Sequence, residues 1–202
     1  NAATTVASTI SIASKFQIRF FATGGIGGVH LNAENTNDVS ADLYALSENS
    51  NFVICSGAKS ILDLSKTNEL LETLGITRIG YQTNYMPGFW YEETENKVDN
   101  KFDEIHEISS FLKLNENMGN KKSILIFNKV PLEKALNKND VEKWINNATI
   151  KADRNNISGK ELTPFLIKEI NEQSKNETLN ANVSLIINNA NLAGKIAKSF
   201  YS

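Results

Sequence analysis

TGGIGGVH at residues 23–30, NDVSADL at residues 37–43 and VICSGAKSILDL at residues 53–64 are the segments that decide the fold. The first is a glycine-dense turn, the second groups acidic and hydroxyl side chains, and the third has a lysine just past a turn of small residues. Apolar segments typical of β-strands lead into these turns. Turns that follow strands collect functional groups at one end of a sheet. We therefore predict a site where these three segments meet.

Size and composition bound the kind of protein. The 202 residues are enough for one full core, and we predict a single domain over residues 1–202. The net charge of −2 gives no overall field that would favour nucleic acid or an anionic membrane. The single cysteine, Cys55, excludes an intrachain disulfide and fits a buried position in a protein of a reducing compartment. No apolar run approaches the length of about 20 residues needed to span a bilayer, so we expect a cytoplasmic protein.

Apolar periodicity predicts strands that alternate with helices. We predict strands at residues 18–22, 51–55, 76–82 and 123–128. Helices are predicted at residues 1–13, 38–46, 60–64, 68–74, 102–114, 139–152, 163–174 and 180–201, with Asp38 or Ser40 capping the second and Thr163 capping the seventh. Residues 84–101 have no clear period and are predicted to form a surface loop or lid. The alternation favours a three-layer α/β/α domain.

Physical chemistry alone leaves two interpretations for each candidate group. The TGGIGG turn is either a tight strand-to-helix turn or a place where backbone amides approach a phosphate or ribose. Asp38, Ser40 and Asp42 either cap a solvated helix start or face a hard cation or a ribose diol. Lys59 is either an exposed lysine or a partly desolvated amine free to attack an electrophilic carbon.

Many short motifs, in one order along nearly the whole chain, narrow these alternatives. They are ATTVAST (3–9), TGGIGGVH, NDVSADL, SGAKSILDL (56–64), LETLGI (71–76), GYQT (80–83), GKELTPFL (159–166) and LNANVSLIINNANLA (179–193). Their order and spacing resemble the pseudouridine-5'-phosphate glycosidase family, which includes the indigoidine-cluster A proteins. The resemblance covers the C-terminal two-thirds of that family's sequence and implies its three-layer α/β/α fold, with the N-terminal part missing.

The resemblance implies a role for individual residues. Lys59 corresponds to the nucleophile that forms a covalent adduct at C1′ of ribose, and Asp38 to a Mn2+ ligand, so Lys59 is expected to be buried at a cleft mouth with its amine near Asp38. His30 is expected to hold the phosphate or ribose, although a histidine ordered by loop hydrogen bonds is the alternative. The full set of implied substrate contacts is Val6, Thr23, His30, Ser40, Ala41, Asp42 and Asn182.

The implied reaction is the cleavage of pseudouridine 5'-phosphate by water to uracil and ribose 5-phosphate. It is reversible in principle, needs Mn2+, and is carried out by a homotrimer. An N-terminal segment of the same protein is expected to supply a glutamate as acid and a phosphate-binding lysine. Without that segment we expect these 202 residues neither to fold well nor to cleave the substrate.

Several positions depart from the family pattern. Leu31 and Asn32 stand where an arginine and a glycine are usual, Thr94-Glu95 replaces serine-glycine, and Lys101 replaces an arginine. The departures at Leu31 and Glu95 favour a second hypothesis, that of a degenerate, non-catalytic domain serving as a scaffold, whereas the presence of both Asp38 and Lys59 opposes it. A third, an unrelated phosphosugar enzyme, would require all the ordered motif matches to be coincidence.

Overall fold

The computed structural model describes residue 4 and residues 6–202, with the side chain of residue 160 excepted. Its strands are β1 (Phe20–Ala22), β2 (Phe52–Cys55), β3 (Thr77–Tyr81), β4 (Asn100–Phe102) and β5 (Ile124–Phe127). Its α-helices are α1 (Val6–Lys15), α2 (Ala33–Thr36), α3 (Ala41–Glu48), α4 (Leu64–Thr73), α5 (Ile105–Asn117), α6 (Lys138–Arg154), α7 (Leu162–Gln173) and α8 (Glu177–Tyr201). Short 3-10 turns lie at Leu132–Lys134 and Gly159–Glu161.

All five strands form one parallel sheet in the order β1-β2-β5-β3-β4. β2 and β5 lie in its interior and are buried along their whole length. Both are continuous apolar runs, FVIC and ILIF, as expected for parallel strands covered on both faces. Parallel strands require crossover connections, and these contain helices except between β3 and β4, where the irregular residues 82–99 make the connection.

Alternating side chains of the central strands belong to two separate apolar clusters, one on each face of the sheet. Phe52, Ile54, Ile124 and Ile126 point to one side, where they meet buried residues of α5 and α8. Val53, Cys55, Leu125 and Phe127 point to the other side, where α1, α3, α4, α6 and α7 contribute buried side chains. The predicted three-layer α/β/α architecture is confirmed.

The four predicted strands are all present, but some of the other predictions were wrong. Residues 60–64 are not a helix, because Leu62 forms a bridge with His30 and the Asp63 side chain caps α4 by accepting from the amide of Lys66 (2.9 Å). The three-residue strand β4 was missed, since its polar sequence NKF lacks an apolar pattern. Thr163 lies inside α7, whose N-cap is Glu161. Ser40 caps α3 as predicted, whereas the start of the first predicted helix, at residues 1–3 and 5, lies outside the described residues.

The predicted lid, residues 84–101, is irregular up to β4, but its centre is not on the surface. Met86, Phe89, Trp90 and Tyr91 are all buried. The backbone amide of Phe89 donates to the Ser56 carbonyl (3.1 Å), which fastens the segment to the end of β2. Gly57 has a φ of +86°, and a Cβ there would lie 2.1 Å from the Pro87 carbonyl oxygen. Residues 86–91, which we call the packed wall segment, are therefore buried against the end of β2, and the absence of a side chain at Gly57 allows the close approach.

Cys55 is fully buried in β2, as the sequence predicts. Burial raises the pKa of its thiol to about 12. The thiol is therefore protonated at neutral pH and behaves as a small apolar side chain.

None of the helices in the described part of the chain has the length and apolar content needed to cross a membrane.

Candidate functional site

A cavity of about 770 Å³ opens beyond the carboxyl ends of β1 and β2. Its wall is built from the start of α1, the glycine turn, the start of α3, residues 59–62, the packed wall segment, and helices α7 and α8. The structure brings together in this wall all but one of the predicted site residues: Val6, Thr23, His30, Ser40, Ala41, Asp42, Lys59 and Asn182. Asp38 is the exception and lies beside the cavity, behind His30.

The glycines of the turn allow close packing rather than unusual backbone angles. None of the four glycines in TGGIGG has a positive φ. A Cβ at Gly25 would lie 2.8 Å from the Phe89 ring, and one at Gly27 would lie 2.1 Å from Ser40 Oγ. The turn is followed by the bridge of Val29 with Val39 and not directly by a long helix, so the strand-to-helix interpretation was wrong.

Asp42 holds the cavity wall together through its carboxylate. Its Oδ1 accepts from the backbone amide of Ala7 (2.9 Å), and its Oδ2 accepts from the amide of Gly27 (2.8 Å). The residue is only 6% exposed. Asp42 therefore ties α1 to the glycine turn, and both of its oxygens already have protein partners.

Replacing Asp42 by asparagine should destabilise the fold by about 2 kcal/mol, within the range for lost hydrogen bonds to a charged group. The amide has one oxygen, so one of the two backbone N–H groups would face an NH2 group instead of an acceptor. Urea denaturation measures the change in the free energy of unfolding. Asp153→Asn, at an exposed position on α6, is the matched control and should change stability by less than about 0.5 kcal/mol. Equal stability of the two variants would contradict the role of Asp42 in joining α1 to the glycine turn.

Lys59 is fixed at the backbone and free at the side chain. Its amide donates to the Ile26 carbonyl (3.1 Å), and its carbonyl accepts from the amide of Leu62 (3.0 Å). Among the described residues, no hydrogen-bond or ion-pair partner contacts Nζ. The side chain is partly buried in the cavity wall. Direct contact with Asp38 is absent, because the two side chains do not form an ion pair within 4.0 Å.

His30 and Asp38 form a polar pair at the edge of the cavity. His30 Nδ1 lies 3.8 Å from Asp38 Oδ2, and the His30 amide donates to the Asp38 carbonyl (3.0 Å). The Asp38 side chain is 41% exposed, whereas that of His30 is 16% exposed. Among the described residues, no lysine or arginine pairs with the Asp38 carboxylate, which lies next to a histidine of the cavity wall.

The structure adds residues that the sequence did not single out. Trp90 donates through Nε1 to Asn182 Oδ1 at 2.7 Å. Below the glycine turn, the fully buried Asn189 donates to the Thr23 carbonyl (2.8 Å) and to Ser56 Oγ (3.0 Å). Asn182 and Asn189 are seven positions apart and share one face of α8, a spacing that would have indicated Asn189.

The described residues do not include a group of three or more His, Cys, Asp or Glu side chains able to hold a metal ion. Any ion at Asp38 would consequently take most of its ligands from water or substrate. One exposed carboxylate with waters is compatible with a hard divalent ion such as Mn2+.

The departures from the family pattern lie away from the cavity wall. Leu31, Thr94 and Glu95 line a separate cleft of about 530 Å³ on the other side of residues 60–62. Lys101 lies on β4 and pairs with Asp103 at 2.9 Å. Neither these four residues nor Asn32, the fifth departure, line the cavity that contains Lys59.

Comparison with known proteins identifies the family. Residues 1–199 match the family model described as indigoidine synthase A like protein. The chain is 47% identical over 200 residues to the pseudouridine-5'-phosphate glycosidase of Petrotoga mobilis and 42% identical over 200 residues to that of Escherichia coli. Both matches cover 99% of this chain. They cover only 65% and 64% of the length of the two relatives.

Two solved structures share the fold over 98% of this chain. One is the prealnumycin C-glycosynthase AlnA in complex with ribulose 5-phosphate, with a TM-score of 0.93 and 33% identity. The other is an indigoidine synthase A-like protein from Thermotoga maritima, with a TM-score of 0.89 and 36% identity. The chain covers 65% and 64% of these structures, so about a third of each has no counterpart in it.

Proposed function

The chain belongs to the indigoidine synthase A-like family, and from this we propose that its protein is a pseudouridine-5'-phosphate glycosidase. The enzyme would split the C–C bond between uracil and ribose in nucleotide catabolism. The observation that carries the proposal is the position of Lys59, unpaired among the described residues and in one cavity wall with seven other predicted site residues. The names of the relatives support the substrate class.

In this proposal Lys59 acts as the nucleophile. Its neutral amine attacks C1′, the bond from C1′ to the ring oxygen breaks, and that oxygen takes a proton, while the adduct nitrogen gives up a proton and so regains its lone pair. The nitrogen lone pair then forms a C=N bond while the pair of the C1′–C5 bond passes to C5 of uracil, which is protonated. Water hydrolyses the iminium to release ribose 5-phosphate and regenerate the amine. An unpaired lysine in a partly enclosed cavity suits this covalent chemistry.

We further propose that Asp38 holds Mn2+ together with water and substrate oxygens. When bound, the ion would supply positive charge for the oxygens of the sugar phosphate. The Asp38 carboxylate supports this assignment, because it lies beside His30 and has no other ion-pair partner among the described residues. His30, Ser40, Ala41 and Thr23 would contact the substrate, whereas Asp42, with both oxygens occupied, would contribute by holding Ala7 and Gly27 in place.

The scaffold hypothesis remains as the second candidate. It rested on the departures at Leu31 and Glu95, and both residues line a different cleft from the cavity of Lys59. This placement favours the enzyme, because the altered residues do not touch the proposed reaction site.

The oligomeric state and the presence of an upstream segment are also proposals. We propose a homotrimer in which an upstream segment supplies the acid and a phosphate-binding lysine. The relatives are longer than this chain, which supports a further segment. Four exposed apolar residues on α8 support coverage by other protein surface: Leu179, Val183, Ile186 and Ile187. Mass measurement of the native full-length protein should give three subunits.

Release of uracil tests the proposed activity. The full-length protein, incubated with pseudouridine 5'-phosphate and Mn2+, should produce uracil and ribose 5-phosphate in equal amounts, measured by chromatography. A folded protein that produces neither would support the scaffold hypothesis instead.

A further inference from the structure

Trp90 and Asn182 form a contact that fixes the orientation of one side chain in the cavity. Trp90 Nε1 lies 2.7 Å from Asn182 Oδ1. An indole N–H is a donor only, so it requires the amide oxygen of Asn182 to face it. The opposite orientation would place the NH2 group against the N–H and leave both without an acceptor.

Trp90 is itself held from several sides. It is 2% exposed, and its ring packs on Phe89 with the centroids 5.3 Å apart. Its carbonyl accepts from the amide of Leu136 at 2.8 Å, and its amide donates to the Gly88 carbonyl at 2.9 Å. The Gly88 carbonyl also accepts from Ser60 Oγ at 2.6 Å. The indole is therefore a fixed reference against which the Asn182 amide is oriented.

The other end of the Asn182 amide is available to a ligand. Asn182 lines the cavity together with Lys59. Nδ2 has no hydrogen-bond acceptor among the described residues. Trp90 engages Oδ1, which leaves the two N–H groups of Nδ2 as the unpaired donors that Asn182 can offer a substrate. A group bound there must present an acceptor, such as a carbonyl, hydroxyl or phosphate oxygen.

We propose that Trp90 is a positioning residue that acts through Asn182 to make this part of the cavity select an acceptor oxygen of the substrate. The identity of the substrate in this proposal rests on the proposed function. The orientation of the Asn182 amide does not, because it follows from the contact with Trp90.

The test is a double-mutant cycle with Trp90→Phe and Asn182→Ala in the full-length protein. Trp90→Phe removes the indole N–H and keeps an aromatic ring. It should raise KM for pseudouridine 5'-phosphate about tenfold, the effect of one lost hydrogen bond, and change kcat less. In the Asn182→Ala background the same substitution should leave KM unchanged. Equal effects of Trp90→Phe in both backgrounds would overturn the proposal, because a general packing defect does not depend on Asn182.

The second tryptophan of the chain supplies the control. Trp144 lies on α6, away from the cavity wall, so Trp144→Phe should leave KM unchanged. It also leaves Trp90 as the only indole among these 202 residues, and the resonance that is lost in Trp90→Phe identifies it in the full-length protein. The indole N–H resonance of Trp90 should then shift when Asn182 is changed to Ala, and no shift would overturn the orientation claim. If the wild-type protein releases no uracil, the proposed function fails, and this resonance still decides the orientation of Asn182.

Discussion

Replacing Lys59 by arginine should reduce uracil release from pseudouridine 5'-phosphate on the order of a thousandfold or more. A guanidinium stays protonated at all working pH values and cannot act as the amine nucleophile. The substitution keeps the positive charge and most of the length of the side chain, so the loss would reflect nucleophilicity. Steady-state kinetics with the full-length protein and Mn2+ measures the effect.

The matched control is Lys66→Arg. Lys66 lies on α4, where it pairs with Glu34 at 2.8 Å and Asp63 at 3.2 Å, half exposed and outside the cavity wall. An exposed pair tolerates this exchange, so kcat/KM should stay within about twofold. Substantial turnover by the Lys59 variant would assign the nucleophile to another residue.

Replacing Asp38 by alanine should remove the response to Mn2+ and lower activity about a hundredfold. The described residues contain no group of three or more His, Cys, Asp or Glu that could hold the ion in its place. The variant should therefore bind Mn2+ far more weakly in calorimetry. Its fold should be nearly intact, since the Asp38 side chain is partly exposed and its backbone carries the hydrogen bond to His30.

Asp103→Ala is the control for this second substitution. Asp103 is another aspartate with an exposed side chain, and it forms an ion pair with Lys101. Its removal should leave both Mn2+ affinity and turnover unchanged. Equal Mn2+ affinity of wild-type protein and the Asp38 variant would exclude Asp38 as the ligand.

The sheet was predictable chiefly from its central strands β2 and β5, which are short and wholly apolar. FVIC and ILIF stand out from their surroundings, and helical periodicity over α4 separates FVIC from the next strand. β4 was not predictable, since NKF pairs only through its backbone with β3 at the sheet edge. The wrong helix at residues 60–64 has an apolar spacing that suits a helix, but the bridge of Leu62 with His30 prevailed.

The part of the site that lies in the loop motifs was predictable, because chemically reactive residue types stand there directly after strands. The loop motifs gave Lys59 and His30, and the structure places both in one cavity wall. The supporting contacts were not predictable, because they join residues far apart in sequence. Trp90 meets Asn182 across 92 positions, and Asn189 meets Thr23 across 166. Local pattern carries no information about such pairs.

The burial of the wall segment around Trp90 has the same origin. Its residues have no period, so the sequence indicated a surface loop. Pairing of Phe89 with Ser56 and packing against Gly25 and Gly57 bury it instead. Irregular backbone can be buried when its polar groups find partners, as they do here.

Chemical trapping of the adduct tests the central claim most directly. Borohydride added to the full-length protein during turnover would reduce the C=N bond to a stable secondary amine. Mass spectrometry of the digested protein should then find the pentose phosphate on the peptide containing Lys59, and the Lys59→Arg variant should lack it. Uracil release with no adduct, or with the adduct on another lysine, would contradict the assignment of Lys59 as the nucleophile.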